Sequence, residues 1–561
     1  MRPLEPPDET GELPAIGAPP STEDTTESFV RNSTIMSVGT GLSRMTGFVR
    51  LAAMAYALGV AESRLADTFN VANTTPNIVY DLALGGIISS VFIPVFVQRR
   101  EHDGNEAAWH TARSVMTFAT ILLGVVALLG IVFSGFIIRL YTFRVPAGPP
   151  REAERALASF FLKWFMPQIV FYGLGAGVAT GLLNAHRRFA APMFAPIANN
   201  LIATATFLLF AKLHGPSTPT PSNVTDLQRY VLAVGTTLGV VGMTVVLWPS
   251  LRNIGFRWRW TLDFRDSGFR RIGRLAGWAF FYVVVNQIGY LVILVLAAGV
   301  QGGYTAYASA FIFFQLPYAI FAVSIMTALL PSLSSRWVDG DRDAFRRQLA
   351  QGIRMTAFIV VPAAFGYLAL SRPIVRLLLQ HGVTRSESTE LLGNVLTFFS
   401  IGLFSFCLFQ LLLRAFYGMQ DTRTPALINV FAVAINIVAD IILFRYIKVE
   451  GLALGHATAY TFASIAAVVL VRRRLGGLEG RRLAAALAQI GIGGAAAGGM
   501  ALLVSVWVGR ALGVATLGAR MVQVTGGVVA GGMAFLAVAL LFRMPELRLI
   551  RQLVTGRLGR E

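Results

Sequence analysis

Two neighbouring apolar stretches near the start of the chain decide its fold. Residues 35–59 read IMSVGTGLSRMTGFVRLAAMAYALG, and residues 67–94 read DTFNVANTTPNIVYDLALGGIISSVFIP. Each is long enough to cross a membrane as a helix, because about 20 residues span the hydrocarbon core. The stretches nevertheless contain Arg44, Arg50 and Asp81. A charged side chain at the centre of a bilayer costs about 2.5 to 3.5 kcal/mol on insertion scales, so these three side chains must face something polar.

The two arginines predict a binding cavity. Arg44 and Arg50 are six residues apart, which places them about a third of a turn off one face and about 9 Å apart along a helix. Gly39, Gly41 and Gly47 allow a bend or a close helix approach that would turn both guanidinium groups into one space. Because arginine binds phosphate with a planar fork of donors and keeps its charge, we predict a water-filled cationic cavity for a phosphorylated ligand. The alternative is that each side chain extends to a nearby membrane interface.

Composition places the chain among multi-pass membrane proteins. Of its 561 residues, 55% are hydrophobic and 14% are charged, and the mean hydropathy is +0.62. The net charge of +19 lies mainly in short loops between apolar segments, so membrane topology explains it and nucleic-acid binding is not expected. Cys407 is the single cysteine, so no disulfide forms within the chain. No cluster of Cys and His predicts a metal centre, and no cofactor is expected.

The apolar segments predict an all-α integral membrane protein with about fourteen transmembrane helices. They follow an acidic, proline-rich stretch, residues 1–30, which predicts a disordered tail rather than a signal peptide. With that tail in the cytoplasm, the inner loops carry 22 arginines and the outer loops carry 12 Lys and Arg, a bias that places both termini inside. The predicted segments are 33–58, 68–97, 112–140, 156–183, 190–212, 229–250, 272–299, 305–333, 354–371, 390–416, 424–444, 451–471, 483–508 and 519–542.

A weak internal repeat predicts two six-helix lobes. Pro94 and Pro192 are 98 residues apart, and Pro331 and Pro425 are 94 apart, in similar sequence surroundings. Because each copy has an even number of helices, the lobes are expected to be related by a pseudo-two-fold axis along the membrane normal, with a cavity between them. The predicted parts are the tail 1–30, an N-lobe 31–252, a C-lobe 253–474, two further helices in 475–545 and a cytoplasmic tail 546–561.

Several short motifs are better explained by helix structure than by catalysis. The Gly-x-Gly-x-Gly run at 173–177 resembles a phosphate loop, but inside a membrane span it predicts close helix packing, as do Gly494 and Gly498. Asp339 and Asp341 resemble a pair that binds a metal and a nucleotide sugar, yet in a short loop they are expected to start a surface helix. No enzyme is therefore predicted.

A second polar cluster predicts a cation site. Asn436 and Asp440 are four residues apart and share one face of a predicted helix. A carboxylate and an amide oxygen suit sodium or a proton relay, and Asn286 and Thr458 are candidates for further oxygen ligands. The alternative is a hydrogen bond between helices, with Asp440 near the outer surface.

Two further charged residues are assigned to the cavity. Lys163 opens the fourth apolar segment and is expected to add positive charge there. Asp81 is expected to pair with Arg44 or Arg50 when no ligand is bound, with a purely structural pair as the equal alternative.

Five blocks of sequence, in this order and at this spacing, resemble the MviN/MurJ family of the MOP exporter superfamily. They are SRMTGFVR (43–50), ADTFNVANTTPNIVYDLALGGIISSVFIPVF (66–96), NAHRRFAAPMFAP (184–196), LLPSLS (329–334) and FYGMQDTRTP (416–425). The resemblance covers about residues 31–545 and implies a flippase of the bacterial cytoplasmic membrane that alternates between inward-open and outward-open states. Its implied substrate is lipid II, the undecaprenyl-pyrophosphate-linked peptidoglycan precursor. The last two helices are expected to border a groove for the lipid tail.

The resemblance also assigns residues to sites. The cavity arginines of the family match Arg44 and Arg50, and the acidic residue that opens its second helix matches Asp67. Some members bind sodium through helices 7, 11 and 12, and Asn436 and Asp440 resemble the pair in helix 11.

Two positions depart from the family pattern. Where many members carry arginine after the Pro-Asn of helix 2, this chain has Val-Tyr-Asp at 79–81, a form similar to that of actinobacterial members. Where they carry arginine in helix 8, it has Phe-Ile at 311–312. The family's arginine clamp is therefore not carried over whole, and Lys163 or Arg414 is the expected compensation.

Two alternative functions remain open at this point. The chain is either another exporter of the same superfamily, for drugs or for a different polyprenyl-linked glycan, or a scaffold that binds cell-wall or division proteins through its tail. For a transporter, sodium or the membrane potential is the expected energy source.

Overall fold

The computed structural model describes the backbone of residues 22–82 and 92–547. The side chains of residues 22–38, 271 and 273–279 are outside this description. The predictions for residues 1–21, for the middle of the second apolar stretch and for residues 548–561 also lie outside the described residues.

The described structure reaches into both predicted tails. The helix α1 begins at Thr22, so the prediction of disorder is wrong for residues 22–30. At the other end Glu546 is buried and forms an ion pair with Arg354, with 3.3 Å between Oε1 and Nε.

The described part of the chain is all-helical, which confirms the predicted fold class. Two short π-helical stretches, Gly173–Ala179 and Tyr318–Ala322, continue the helices that precede them. The α-helices are α1 (Thr22–Leu58), α2 (Leu65–Tyr80), α3 (Ile93–His102), α4 (Gly104–Val132), α5 (Ser134–Tyr141), α6 (Pro149–Phe165), α7 (Gln168–Tyr172), α8 (Thr180–Ala185), α9 (Ala190–His214), α10 (Asp226–Asn253), α11 (Ser267–Ala298), α12 (Gly303–Pro317), α13 (Val323–Val338), α14 (Arg342–Leu379), α15 (Ser386–Ile401), α16 (Leu403–Gly418), α17 (Arg423–Leu475), α18 (Gly480–Leu512) and α19 (Leu517–Leu541).

Many of these helices are long and apolar enough to cross a membrane. Ten candidate spans occur in the described residues, and α15 with α16, bent by 48° at their junction, form an eleventh. The 53-residue helix α17 contains the predicted segments 424–444 and 451–471, which meet at non-helical backbone angles at Ile447 and Lys448. The chain is therefore a multi-pass helical membrane protein, while the count of fourteen spans stays a prediction.

The helices pack in two groups and one pair. In the N-terminal group, α1 to α10, helix α1 packs on α9, α9 on α10 and α2 on α6. In the C-terminal group, α11 to α17, helix α11 packs on α17 and α12 on α15, while the pair α18 and α19 packs on α14. The lobe limits at residues 252 and 474 and the symmetry axis stay predictions.

Helix α2 belongs to the N-terminal group through one aromatic face. The ring of Phe69 meets Phe161 and Phe165 of α6 edge to face, at centroid distances of 5.8 and 5.5 Å. Such pairs contribute about 0.5 to 1.5 kcal/mol each beyond their buried area. The opposite face of α2 is polar and is turned toward the C-terminal group.

Glycines bring the last two helices close to their neighbours, as their spacing predicts. A Cβ atom at Gly494 would lie 2.7 Å from a ring carbon of Phe365 on α14. One at Gly531 would lie 2.8 Å from the carbonyl oxygen of Ala497, so α18 and α19 touch backbone to backbone. Whether this pair also borders a groove for a lipid tail stays a prediction.

The two motifs that resemble catalytic sequences have structural roles. The run at 173–177 forms the π-helical stretch after α7, where Gly175 approaches Thr244 of α10, and a Cβ there would lie 2.5 Å from the hydroxyl. The carboxylate of Asp341 accepts a hydrogen bond of 2.9 Å from the amide of Ala344 and caps α14. The expected helix start is thus confirmed, and the helix is far longer than a surface turn.

Candidate functional site

A polar face of α2 forms the interface with the C-terminal group. Asp67, Asn70, Thr74 and Asp81 recur at intervals of three, four and seven residues, which places them on one side of a helix. We call their contacts with α11, α12 and the turn between them the α2 interface. It runs the length of α2, so the two helix groups meet through polar contacts rather than through apolar packing alone.

Asp67 makes the strongest contacts of this interface. The carboxylate is fully buried and accepts hydrogen bonds from the amide of Gly302 (2.7 Å) and from the amide (2.9 Å) and hydroxyl (2.8 Å) of Thr305. It thus binds the amide groups at the start of α12, where the helix dipole favours an anion. In this conformation no solvent or substrate reaches Asp67, and its assignment as a substrate contact stays a prediction.

Three weaker contacts continue the α2 interface. The side chain of Asn70 donates to the Thr305 hydroxyl (3.0 Å), and the Thr74 hydroxyl lies 2.6 Å from that of Tyr304. The side chain of Gln287 donates to Asp81 at 3.1 Å. The prediction that Asp81 pairs with Arg44 or Arg50 is therefore wrong, because its partner is an amide of α11.

Residues 59–64, between α1 and α2, join the two groups more tightly; we call them the α1–α2 junction. Glu62 accepts hydrogen bonds from the amides of Val60 (2.7 Å) and Arg385 (2.5 Å), and thereby holds the turn before α15. The Ala61 amide donates to the hydroxyl of Ser388 at 2.7 Å, and the Gln301 side chain donates to the Ala61 carbonyl at 2.8 Å. This end of the bundle is therefore closed by hydrogen bonds between the groups.

Arg50 lines a small cavity inside the N-terminal group and against α12. Its volume is about 80 Å³, which has room for several water molecules, since one needs about 10 to 15 Å³. We call it the Arg50 cavity; its polar lining is Arg50, Asn70, Asn73, Tyr172, Asn199, Thr236 and Ser309. Within the described residues the half-buried guanidinium group makes no ion pair and no hydrogen bond, and Tyr172 is its electrostatic neighbour.

Arg44 does not share that cavity, so the prediction of one space for both guanidinium groups is wrong in this conformation. Helix α1 continues unbroken past Gly39, Gly41 and Gly47, and six residues on a regular helix leave two side chains about 120° apart. Arg44 is exposed, and it lies close enough to Tyr318 to act electrostatically on its hydroxyl, as does Arg414 of α16. Arg44 and Arg414 thus form a second positive region, apart from the Arg50 cavity. It lies on the side of the bundle away from the α1–α2 junction.

A larger cavity of about 400 Å³ lies between α2, α11, α12 and α17. We call it the amide cavity because side-chain amides dominate its polar lining. Its polar and aromatic lining consists of Thr74, Asn77, Asp81, Asn286, Gln287, Tyr290, Tyr307, Phe311, Asn429, Asn436, His456 and Tyr460. Among the described residues of this lining, Asp81 is the only Asp, Glu, Lys or Arg, so this lining has no positively charged side chain.

The predicted cation ligands are only partly brought together. Asn286 and Asn436 line the amide cavity, and Asp440 lies one turn further along α17, fully buried, with neither oxygen hydrogen-bonded inside the described structure. Gly455 leaves space for that carboxylate, because a Cβ there would collide with Oδ1. Thr458 is exposed and donates to the Leu454 carbonyl of its own helix (2.8 Å).

The choice of Thr458 as a ligand is therefore wrong, and His456, two residues earlier, takes the inward position on α17. A cation held by Asn286, Asn436 and Asp440 stays a prediction. No group of three or more His, Cys, Asp and Glu side chains suited to a metal ion occurs among the described residues.

The prediction that Lys163 adds charge to the cavity is also wrong. It is exposed on α6 and lines neither the Arg50 cavity nor the amide cavity. Its neighbours in sequence, Leu162 and Phe165, are fully buried, so the helix turns Lys163 outward.

Comparison with known proteins gives one consistent family. Residues 54–523 match the family model described as lipid II flippase MurJ. The chain is 29% identical to the probable lipid II flippase MurJ of Vibrio cholerae serotype O1 over 435 residues, covering 76% of this chain and 80% of that protein. It is 26% identical to the lipid II flippase MurJ of Burkholderia cenocepacia, covering 77% of this chain and 82% of that one.

Solved structures agree on the fold. A structure described as lipid II flippase MurJ in an inward closed conformation superimposes with a TM-score of 0.72 at 20% identity, covering 91% of this chain and 99% of that one. An inward-facing multidrug resistance MATE transporter of the MOP superfamily gives a TM-score of 0.62 at 13% identity, covering 79% and 99%. The helical arrangement is thus shared with MOP transporters of different cargo.

Proposed function

The chain belongs to the lipid II flippase MurJ family, and on that basis we propose that it moves lipid II from the inner to the outer leaflet of the bacterial cytoplasmic membrane. This transport makes and breaks no covalent bond. The protein therefore acts by binding the head group and by exchanging two conformations that expose it to opposite sides.

The mechanism depends on the unpaired guanidinium group of Arg50. A permanent charge within the membrane bundle, without a protein counter-ion in the described residues, is costly unless a ligand or water compensates it. A diphosphate supplies the negative charge, and arginine binds phosphate oxygens with two parallel donors. The side chains of Asn70, Asn73 and Asn199 around it offer neutral donors for the remaining oxygens.

The second positive region would receive the diphosphate first. With the N-terminus in the cytoplasm, the α1–α2 junction lies on the outer side, and Arg44 lies about 9 Å closer to the cytoplasm than Arg50. Arg44 and Arg414 are exposed, and the end of the bundle at the α1–α2 junction is closed by hydrogen bonds. The head group would therefore enter from the inside, at Arg44, and move along α1 to Arg50.

Separation of the helix groups along the α2 interface completes the proposed cycle. Opening the outer side requires release of the hydrogen bonds at Asp67 and at the α1–α2 junction. The membrane potential supplies about 2.3 kcal/mol per charge for each 100 mV, which is comparable with one such bond. Sodium bound near Asn436 and Asp440 is the alternative energy source.

Depletion and rescue in a bacterial host test this mechanism. The protein is depleted while the fraction of lipid II accessible on the outer leaflet is measured, and each variant is then expressed. Arg50→Ala should fail to restore outer-leaflet lipid II, Arg50→Lys should restore part of it, and Lys163→Ala, an exposed cation on α6, should restore all of it. Full rescue by Arg50→Ala would refute the role of Arg50, and unchanged outer-leaflet lipid II on depletion would refute the transport function.

Asp81 favours a second candidate function, export of organic cations. It is the one acidic side chain among the described residues that line the amide cavity, and a carboxylate attracts an organic cation that the aromatic rings of the lining also favour. A comparison of cationic dye efflux in cells with and without the protein separates cation export from lipid II transport, since a lipid II flippase would not change dye retention.

A scaffold that binds cell-wall or division proteins through residues 1–30 is the remaining alternative. Deletion of residues 1–30 tests it, and a transporter should keep its activity without them.

A further inference from the structure

The amide cavity has polar groups that the protein does not satisfy. His456 Nε2 is buried without a hydrogen-bond partner in the described residues, and its side chain lines the cavity; Asn436 also lines it, with a buried amide nitrogen that has only the carboxylate of Asp440 near it. His456 is 7% exposed, so its open nitrogen is not balanced by bulk water. A buried donor or acceptor without a partner costs about 1 to 3 kcal/mol, which a ligand in the cavity would recover.

The charge and shape of the cavity limit what that ligand is. No Lys or Arg among the described residues lines it, and the only acidic or basic side chain of that lining is Asp81, so a diphosphate is disfavoured here. Side-chain amides both donate and accept, and the rings of Tyr460, Tyr307 and Phe311 offer flat apolar faces. Amides combined with aromatic rings suit a neutral sugar that carries hydroxyl and acetamido groups.

The size of the cavity agrees with one part of a larger head group. At about 400 Å³ it lies near the lower end of the range for small-molecule sites, about 300 to 1,000 Å³. It therefore has room for a sugar unit, while the rest of a lipid-linked glycan would remain outside it.

The position of the cavity places that sugar next to the diphosphate. Adjacent residues of α2 face different cavities, since Asn73 lines the Arg50 cavity and Thr74 lines the amide cavity. The same holds on α12, where Ile312 faces Arg50 and Phe311 faces the amides. The α2 interface, including the hydrogen bond of 2.6 Å between Thr74 and Tyr304, is thus the wall between the two cavities.

We propose that the amide cavity is a subsite for the acetamido sugar of the lipid-linked substrate, joined to the Arg50 cavity when the α2 interface opens. This inference rests on the proposed flippase function. Asn436 and His456 hydrogen-bond the acetamido and hydroxyl groups, and Tyr460 and Phe311 pack on the sugar ring. The diphosphate binds at Arg50, so charge and sugar are recognised in separate places.

Binding of two defined lipids to the full-length protein in nanodiscs tests the subsite. The probes are undecaprenyl diphosphate and the same lipid bearing one N-acetylhexosamine. The protein should bind the sugar-bearing lipid about tenfold more tightly, as expected for one or two added hydrogen bonds. Asn436→Leu should remove that difference while leaving binding of the plain diphosphate lipid unchanged. Thr458→Val, on the outer face of the same helix, should change neither.

A second variant and a lipid II flipping assay in liposomes distinguish failure of the subsite from failure of the flippase function. His456→Phe should reproduce the loss seen with Asn436→Leu, which covers the case in which one variant does not fold. Equal binding of both lipids by the unmodified protein, with flipping of lipid II intact, would overturn the subsite alone. Absence of flipping would overturn the proposed function itself. Tighter binding of tetraphenylphosphonium than of the sugar lipid, lost in Asn436→Leu, would assign the cavity to cations instead.

Discussion

The α1–α2 junction and the part of helix α1 that carries Arg44 and Arg50 differ in how their polar groups are satisfied. At the α1–α2 junction, Glu62 and Ala61 are hydrogen-bonded across the groups, and just beyond it Asp67 accepts from both Gly302 and Thr305. About two turns before the end of α1, Arg50 has no ion pair or hydrogen bond in the described structure, and about two turns further back Arg44 is exposed.

In the proposed mechanism, this difference separates the contacts that close the bundle from the charge that binds a ligand. Buried carboxylates that accept several hydrogen bonds from backbone amides are satisfied by the protein and stabilise one arrangement of the groups. An arginine without a partner is an incomplete site, and its completion by a phosphate stabilises whichever arrangement can hold that ligand. Arg50 thus lies about two turns before the end of α1, and the hydrogen-bonded contacts begin just beyond that end, in the α1–α2 junction and on α2.

The largest effect is expected from making the closed end permanent. Ala61→Cys combined with Ser388→Cys should be joined by a short, reducible bifunctional thiol cross-linker, because the Ala61 amide and the Ser388 hydroxyl are 2.7 Å apart. Transport of lipid II in liposomes should stop on cross-linking and return with reductant, since the groups could no longer separate at the junction. Each single cysteine variant is the control, and the native Cys407 is buried. Undiminished transport in the cross-linked protein would show that the junction does not open during the cycle.

Removal of the Asp67 carboxylate should destabilise the closed arrangement strongly. Asp67→Ala leaves three buried donors without an acceptor, at about 1 to 3 kcal/mol each. The melting temperature of the purified protein should fall, and a cysteine placed at Ala61 should become more reactive toward a water-soluble maleimide. Glu101→Ala, an exposed acid on α3, should change neither quantity. A melting temperature equal to that of the unmodified protein would mean that these bonds are replaced without cost.

In the part of α1 that carries the arginines, substitution of Arg44 is expected to change transport kinetics less than substitution of Arg50. Arg44 is exposed and is expected to make first contact with the diphosphate, so Arg44→Gln should raise the KM of transport about tenfold and leave kcat nearly unchanged. Arg50→Gln should lower kcat as well, because Arg50 is expected to hold the ligand while the groups move. Equal kinetics for the two variants would remove the proposed order of contact.

The smallest effect concerns a surface ion pair at the Arg44 end. Asp421, between α16 and α17, pairs with Arg474. Burial acts to raise the pKa of Asp421. Hydrogen bonds from Thr424 and the charge of Arg474 outweigh burial, so this pKa lies below its usual value. Because the folded-state pKa is lowered, this stabilisation is present above the unfolded pKa and is lost as the pH falls through the folded one.

The melting temperature should therefore decline slightly more between about pH 5 and pH 3 in the unmodified protein than in Arg474→Gln, where the pair is absent. Since exposed ion pairs contribute about 0 to 1 kcal/mol, the difference should be far smaller than that caused by Asp67→Ala. Parallel acid curves for the two proteins would show that the pair does not contribute to stability.

Much of the fold was predictable because it depends on local sequence. Apolar runs of spanning length gave the helical membrane class, the spacing of Gly494 and Gly498 gave the close packing on α14, and Asp341 gave a helix start. The polar face of α2 was also readable, since Asp67, Asn70 and Thr74 recur at helical intervals. That signal was present in the sequence, and it would have identified the interface between the groups.

The sequence by itself determined which residues share a helix face, because helical periodicity is fixed by the backbone. Only the tertiary structure decided what each face meets. It separated Arg44 from Arg50, gave Asp81 an amide partner, turned Lys163 and Thr458 outward and put His456 in the amide cavity. The physical reason is that the rotation of a helix within a bundle is set by packing against its neighbours, which sequence spacing does not specify.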